Sequence, residues 1–436
     1  MRTVAEIFSQ RVTFQLYLRV ESALAEAQAG LGIVPEHAAR EISRLGKLES
    51  LDLEKLRVQT EHTGYPIAPL VRQLTEVCGE HGRYVHWGAT TQDVLNTALA
   101  LQINEAFERL ARDLRAAIGR LAVIASEHRE TLMVARTFGG HALPITFGFK
   151  VAVWLSGLLR HAERLAALRR RPMDGELAGA AGTLASLGTH GLEVRRRFMQ
   201  VLGLPVPLIT WSGMRDCVVD RIMFLAALTG TLGKIVQDIA ELASTEIGEL
   251  AEPVSGGKDA SSTLPFKSNP VYCAQTMSSA SVVAQCLASV LQAMRQRQER
   301  SGEGLLEFES VPQAFIQAER CLSRFRLVID DLRVFPERMR SNLSLTRGIL
   351  LAERYMMALA PHLGRLAAHD LVHDACRQAR DRGMDLGAVL TRMPDAARHL
   401  DIAALGDPGT YLGGALTMTD EVLAAARTHL EQSKNT

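Results

Sequence analysis

No proline falls between residues 208 and 252 or between 271 and 311. Proline inside a helix removes a backbone donor and clashes with the preceding turn, so long helices can form where it is missing. The apolar residues there keep a helical step. Val218, Ile222, Leu225, Leu228, Leu232, Ile235, Ile239 and Leu242 follow at intervals of three and four, as do Ile103, Phe107, Leu110, Leu114, Ile118, Leu121 and Ala125. That spacing lays one apolar stripe along a rod and does not fit the alternation of half-buried strands. A helix of about 35 residues is roughly 50 Å long at 1.5 Å per residue. The expected fold is all-α, a bundle of long helices.

Glycine and proline mark the ends of these rods: Gly64-Tyr65-Pro66 with Pro69, Gly139-Gly140 with Pro144, Pro205 with Pro207, and a polar glycine-rich loop from Pro253 to Ser262. A further turn lies around Ser341–Gly348. The reading is three helical domains: an N-terminal one over residues 1–105, a central bundle over 106–345 and a C-terminal one over 346–436.

At 47% hydrophobic and 22% charged residues, the 436-residue chain is neither disordered nor collagen-like. Its 49 basic and 48 acidic residues leave a net charge of +1, which offers no field for nucleic acid or an anionic membrane surface. The basic triplets Arg169–Arg171 and Arg195–Arg197 read as solvated helix faces. Six scattered cysteines without a CxxC pair speak against a disulfide framework or a thiolate zinc site. The opening MRTVAEIFSQR has no apolar core of a signal peptide, so a cytoplasmic setting is expected.

Residues 268–294 carry no charged side chain, long enough to cross a bilayer, yet Asn269, Gln275, Ser278, Ser281 and Gln285 are too polar for hydrocarbon. A helix uncharged all round in a soluble protein is expected to be buried on every side. One chain does not easily supply that many neighbours, which points to an oligomer.

The run Ala260-Ser261-Ser262-Thr263-Leu264-Pro265-Phe266-Lys267-Ser268-Asn269-Pro270 joins paired serines to a lysine, an asparagine and a proline that opens a helix. Helix N-terminal N–H groups together with Lys267 suit a carboxylate that must accept a second negative charge. Taken by spacing alone, a surface turn with a capping serine fits equally well.

This run resembles the signature GSSxMPxKxNP of the fumarase/aspartase superfamily. Tyr84-Val-His-Trp-Gly-Ala-Thr-Thr-Gln-Asp93 and Ala135-Arg-Thr-Phe-Gly-Gly-His-Ala-Leu-Pro144 resemble its other two site segments, in the same order and spacing. The likeness runs nearly end to end, through YLRVESALAEAQAGLGIVP, TEIGELAEP, NLSLTRGILLAE and DPGTYLGGA. Within the superfamily the chain is most similar to the 3-carboxy-cis,cis-muconate cycloisomerases, then to the adenylosuccinate lyases. The resemblance implies proton removal or return beside a carboxylate through an aci-carboxylate intermediate, on a small polycarboxylate, with no metal or other cofactor. It implies Ser261 as the base, Lys267 and Asn269 on the carboxylate that gains charge, and Thr90, Thr91 and Gln92 on another carboxylate. His86 matches an active-site histidine of adenylosuccinate lyases. It also implies a homotetramer whose sites each draw on three chains.

Departures narrow the substrate. Lyases that release an amine usually carry histidine where Phe138 stands, because an amine leaves only once protonated. A carboxylate, with a pKa of about 4, leaves without a proton. Phe138 therefore suits a lactone carboxylate, nitrite or another stable anion. His141 is the remaining candidate acid, with structural packing its alternative. Ala260 replaces a usual glycine and Ser268 a usual arginine; Arg215 in Trp211-Ser-Gly-Met-Arg-Asp216 matches a family arginine that offers a compensating charge. His369 and His373 stand four apart without a third ligand nearby and read as structural. The competing readings are a fumarate-producing C–N lyase and a homologue that binds without catalysis. Retention of Ser261, Lys267 and Asn269 together argues against the latter.

Overall fold

The structure, a computed structural model, describes residues 2–253 and 268–432. Helices dominate. The elements used below are α1 (Gln10–Ala29), α2 (Ile67–Val77), α3 (Thr91–Glu127), β1 (Leu132–Thr137), β2 (Gly140–Thr146), α4 (Phe147–Arg170), α5 (Asp216–Leu242), α6 (Val271–Ala293), α7 (Leu306–Asp330) and α8 (Pro336–Leu343). With 37 residues, α3 is about 55 Å long.

The periodic stripes face inward as their spacing requires. In α5, Val218, Ile222, Leu225, Leu228, Leu232 and Ile239 are all fully buried, and so are Ile103, Leu110, Ile118 and Leu121 of α3. Phe107 of α3 meets Phe315 of α7 edge-on at 5.1 Å and Phe224 of α5 at 5.9 Å, an arrangement aromatic rings favour.

The chain groups into two compact units, and each of the long helices α3 to α7 contributes a stretch to both. The first comprises Met1–Asp113, His161–Gly230 and Ser278–Leu322. Its core joins Phe14 and Leu18 of α1 to Leu70 and Leu74 of α2 and to Val194 and Phe198. The second comprises Leu114–Arg160, Thr231–Met277 and Ser323–Thr436, with a core of Val134, Leu343, Leu351, Tyr355, Leu359 and Val372.

One feature differs from the sequence reading. The glycine break near residue 140 is a β-hairpin: Met133 pairs with Ile145, Arg136 with His141 and Thr137 with Gly140. Phe138 and Gly139 form its two-residue turn at φ 50° and 78°. With positive φ at both positions this is the type I′ pattern, which Gly139 adopts freely and Phe138 only under constraint. Phe138 is wholly exposed at this tip.

Helix α6 bears on the oligomer expectation. It buries Cys273, Thr276, Val283, Cys286 and Val290, while Gln275, Ser278, Ser281, Gln285, Ala288 and Leu291 face outward in the single chain. Within the single chain this uncharged helix is buried on one side.

Candidate functional site

The first motif sits at the start of α3. Thr90 precedes the helix, and its N–H donates to Asp93 Oδ2 at 2.9 Å. The returning acidic side chain at the third helical position is half of a capping box. Asp93 also accepts from the N–H groups of Ala178 (2.9 Å) and Gly179 (3.1 Å), so it fastens the 178–179 loop to the helix end. Burial pushes its carboxyl up to about 7, against the opposing pull of these hydrogen bonds.

From this anchor the polar side chains run along one helix face. Gln92 Nε2 donates to Asn96 Oδ1 (2.7 Å), and Asn96 Nδ2 donates to Ser212 Oγ (3.2 Å). Arg215 Nη1 donates to the same Asn96 Oδ1 at 3.2 Å. Spacing of four on a helix makes the Gln92–Asn96 contact possible. Next along, Thr97 and Glu176 exchange hydrogen bonds through Thr97 Oγ1, and the buried Glu176 carboxylate accepts from Thr210 Oγ1 and Trp211 N–H. Burial raises the Glu176 pKa despite these donors.

A cavity of about 450 Å³ opens beside this network. Its wall includes Thr90, Thr91, Gln92, Ser212, Arg215 and Arg300. Segments 90–92, 212–215 and 296–308, far apart in sequence, thus meet around one space sized for a small ligand. The donors are neutral hydroxyl and amide groups backed by arginine, a set that binds carboxylates.

Arg215 lines the cavity, but its charge is already met. Its Nε lies 3.0 and 3.2 Å from the two carboxylate oxygens of Glu307, its Nη2 also bonds that carboxylate, and its guanidinium sits 4.6 Å from the Trp211 ring centroid. Arg215 therefore organises the wall more than it supplies uncompensated charge. The exposed Arg300 brings a further cation to the cavity.

His86 lines an adjoining cavity of about 410 Å³ that shares Ala68 and Thr91 with the first. Its backbone is left-handed, φ 59°. Its Nδ1 lies 2.7 Å from Oε1 of the buried Glu21. Burial draws the imidazole towards neutrality, but the hydrogen bond and charge of Glu21 outweigh it and hold the pKa above its ordinary value.

The other candidates belong to the second compact unit or lie outside the described residues. His141 is half-buried on β2 in the second compact unit; its Nδ1 is buried with no hydrogen-bond partner among the described residues. Burial, then the nearby charge of Arg136, lowers its pKa. Arg136 itself is forked onto the buried Glu249 at 2.7 and 2.9 Å, and Asn342 of α8 donates to Glu249 at 2.7 Å, which pins the hairpin. Asn269 is half-buried just ahead of α6. Ser261 and Lys267 lie outside the described residues. The N-terminus of α6 carries a correction: Glu252 accepts from the N–H groups of Tyr272 (2.7 Å) and Cys273 (3.0 Å), so these two already face a protein carboxylate rather than a substrate anion. His369 and His373 stack at 6.2 Å, and no cluster of three metal-ligating side chains occurs among the described residues.

Sequence reasoning passed over Glu21, Asp93, Asn96, Arg300 and Glu307. Asp93 carried a readable signal, an acid at the third position of a helix after a threonine. Arg300 sits in a charged run, Arg295–Arg300, that looks like any solvated turn.

Known proteins place this geometry. The family profile described as Lyase matches residues 2–284, and the one described as Adenylosuccinate lyase C-terminus matches residues 348–422. The crystal structure of fumarate lyase from Mesorhizobium sp. BNC1 superposes with a TM-score of 0.90 at 44% identity, covering 97% of either chain. That of 3-carboxy-cis,cis-muconate lactonizing enzyme from Pseudomonas putida gives 0.92 at 36% identity over 98% of this chain and 97% of its own. The 3-carboxy-cis,cis-muconate cycloisomerase of Acinetobacter baylyi is 36% identical over 98% of this chain and 97% of its own length. With likeness along nearly its whole length to enzymes of one kind, this chain belongs to the lyase family and is an enzyme of the fumarase/aspartase superfamily.

Proposed function

We propose that the enzyme interconverts 3-carboxy-cis,cis-muconate and its lactone. In the lactonising direction a substrate carboxylate oxygen adds to an alkene carbon and forms the C–O bond. The alkene electron pair moves into the neighbouring carboxylate as an aci-carboxylate, and the carbon beside it takes a proton from the Ser261 hydroxyl. In reverse, the Ser261 alkoxide removes that proton and the ring carboxylate leaves with the C–O electron pair. Lys267 and Asn269 hold the carboxylate whose charge grows in the transition state, where electrostatic stabilisation has its largest effect. Thr90, Thr91 and Gln92 hold a second carboxylate, and Arg300 adds a cation for a third.

The cavity that gathers Thr90, Thr91, Gln92, Ser212 and Arg215 carries this reading. Phe138 supports a leaving group that needs no general acid, because phenylalanine has no proton to give. Ser268, exposed ahead of α6, lacks the charge that the usual arginine would bring, which disfavours a nucleotide substrate.

The working form in this reading is a cytoplasmic homotetramer with sites shared between subunits. The outward face of α6, made of small, uncharged and amide side chains, supports burial against other copies. The three-part division at residues 105 and 345 remains the proposed domain organisation, with the compact units cutting across it.

Ultraviolet absorbance with carboxymuconate, substituted succinates and adenylosuccinate tests the assignment. Fastest turnover of carboxymuconate supports it. Preferred cleavage of adenylosuccinate, or of a nitro-substituted succinate with nitrite release, overturns it in favour of that leaving group.

A further inference from the structure

The first compact unit contains a buried carboxylate that the proposed reaction does not use. Glu21 lies in the middle of α1 with its side chain wholly buried. A polar group buried in that position calls for a hydrogen-bond partner. Oε1 lies 2.7 Å from His86 Nδ1, while Oε2 meets no hydrogen-bond donor among the described residues. The imidazole is its partner. Nδ1 faces Glu21, which leaves Nε2 as the ring's other polar edge, on a residue that lines the cavity with Arg72, Glu76 and Thr91.

Two turns further along the same helix, Gln28 donates from Nε2 to the carbonyl of Trp87 at 2.7 Å. Residues seven apart share one helix face. Two side chains of α1 thus grip consecutive residues, His86 and Trp87, at the point where the backbone is held at φ 59°. A non-glycine residue persists in that region only when its surroundings over-determine it, as they do at ligand sites.

We propose that Glu21 is a positioning residue: it aims His86 and presents the Nε2–H edge as a donor to a substrate carboxylate beside Thr91. This rests on reading the cavity as a polycarboxylate site. The groups facing the imidazole are Glu21 from α1 and Asp93 from α3, with Arg72 and Glu76 of α2 on the same cavity wall. Both carboxylates favour the charged ring against burial, and the balance is upward. The Nε2–H donor is therefore present below the histidine's pKa and is lost as pH rises through it. Removing the Glu21 charge brings that loss to lower pH.

Glu21→Gln tests this, since the amide keeps an acceptor for Nδ1–H but carries no charge. The first readout needs no substrate: ¹⁵N NMR titration of histidine-labelled enzyme, with His86 assigned by its absence in His86→Asn. The His86 midpoint should fall by about one pH unit in Glu21→Gln. The second readout is KM and kcat for 3-carboxy-cis,cis-muconate against pH. KM at pH values above the variant's midpoint should rise up to about tenfold, in step with the smaller fraction of enzyme that still carries the Nε2 proton, with kcat changing less. An unmoved midpoint together with an unmoved KM profile makes Glu21 a packing residue and overturns the proposal. Should Glu21→Gln not fold, Glu21→Asp and the wild-type titration decide: a wild-type His86 midpoint below that of free histidine overturns it. A lowered midpoint in an enzyme that turns over no polycarboxylate upholds the Glu21–His86 coupling and removes the substrate reading instead.

Discussion

Arg215 and Glu307 form a forked ion pair in which Arg215 Nε reaches both carboxylate oxygens, at 3.0 and 3.2 Å. Their side chains are 5% and 1% exposed. Asn96 and Trp211 complete the guanidinium's surroundings, so the pair ties α3, the 211–215 turn and α7 together.

Breaking this pair from one side strands the other charge. Glu307→Ala should cost about 3–5 kcal/mol in urea unfolding, the usual penalty for a buried uncompensated ion. The double variant Arg215→Met with Glu307→Leu should recover most of that stability without recovering activity. A loss below about 1 kcal/mol in Glu307→Ala would mean the pair does not hold the cavity wall.

Asp93 gives a pH signature. Its folded-state value of about 7 lies above the ordinary carboxyl value. A raised folded value means that the stability contribution is full below the unfolded pKa, near 4, and is lost as pH rises through about 7. The difference in unfolding free energy between wild type and Asp93→Asn should therefore change across about pH 4–7, with wild type losing ground as pH rises. A difference flat across that window would show Asp93 to be ionised throughout.

Phe138 occupies a hairpin tip in left-handed backbone, wholly exposed in the single chain. Phe138→His should fold, with its melting temperature within a few degrees of wild type, because little packing is lost. It should not gain adenylosuccinate cleavage, since Ser268 still lacks the arginine's charge. Efficient cleavage by this single variant, followed by absorbance, would show that position 268 does not decide the substrate.

Shared sites predict complementation. Inactive Ser261→Ala chains mixed with inactive Thr90→Ala/Thr91→Ala chains should regain part of the activity, since some sites then draw every working group from complementary chains. Sedimentation should give a tetramer. A fully active monomer, or no recovery after verified subunit exchange, contradicts the arrangement.

The rods were legible because burying a stripe on a long helix leaves a spacing of three and four that composition cannot hide. The hairpin at 132–146 was not, since Gly139, Gly140 and Pro144 mark a break without saying what lies across it, and Met133-Val134 and Ile145 are too short a run to separate strand from helix. The site was legible where its residues form contiguous motifs, as at Thr90–Gln92. Glu21 and Glu307 were hidden because neither belongs to a motif: Glu21 sits between Val20 and Ser22, and Glu307 reads with Glu309 as an ordinary acidic first turn. Only the fold brings them 2.7 Å from His86 and 3.0 Å from Arg215. The α6 N-terminus misled because its capping acid, Glu252, precedes the motif.

Proton transfer beside a carboxylate is the central step of the proposed reaction, and deuterium reports it directly. Reaction of 3-carboxy-cis,cis-muconate in D₂O, followed by ¹H NMR, should give a lactone carrying one deuterium at the carbon next to the carboxylate. Ser261→Ala should form it at least about a hundredfold more slowly, the usual size of a lost acid–base group. Unchanged carboxymuconate with the wild-type enzyme, or a Ser261→Ala rate within about threefold of wild type, would contradict it.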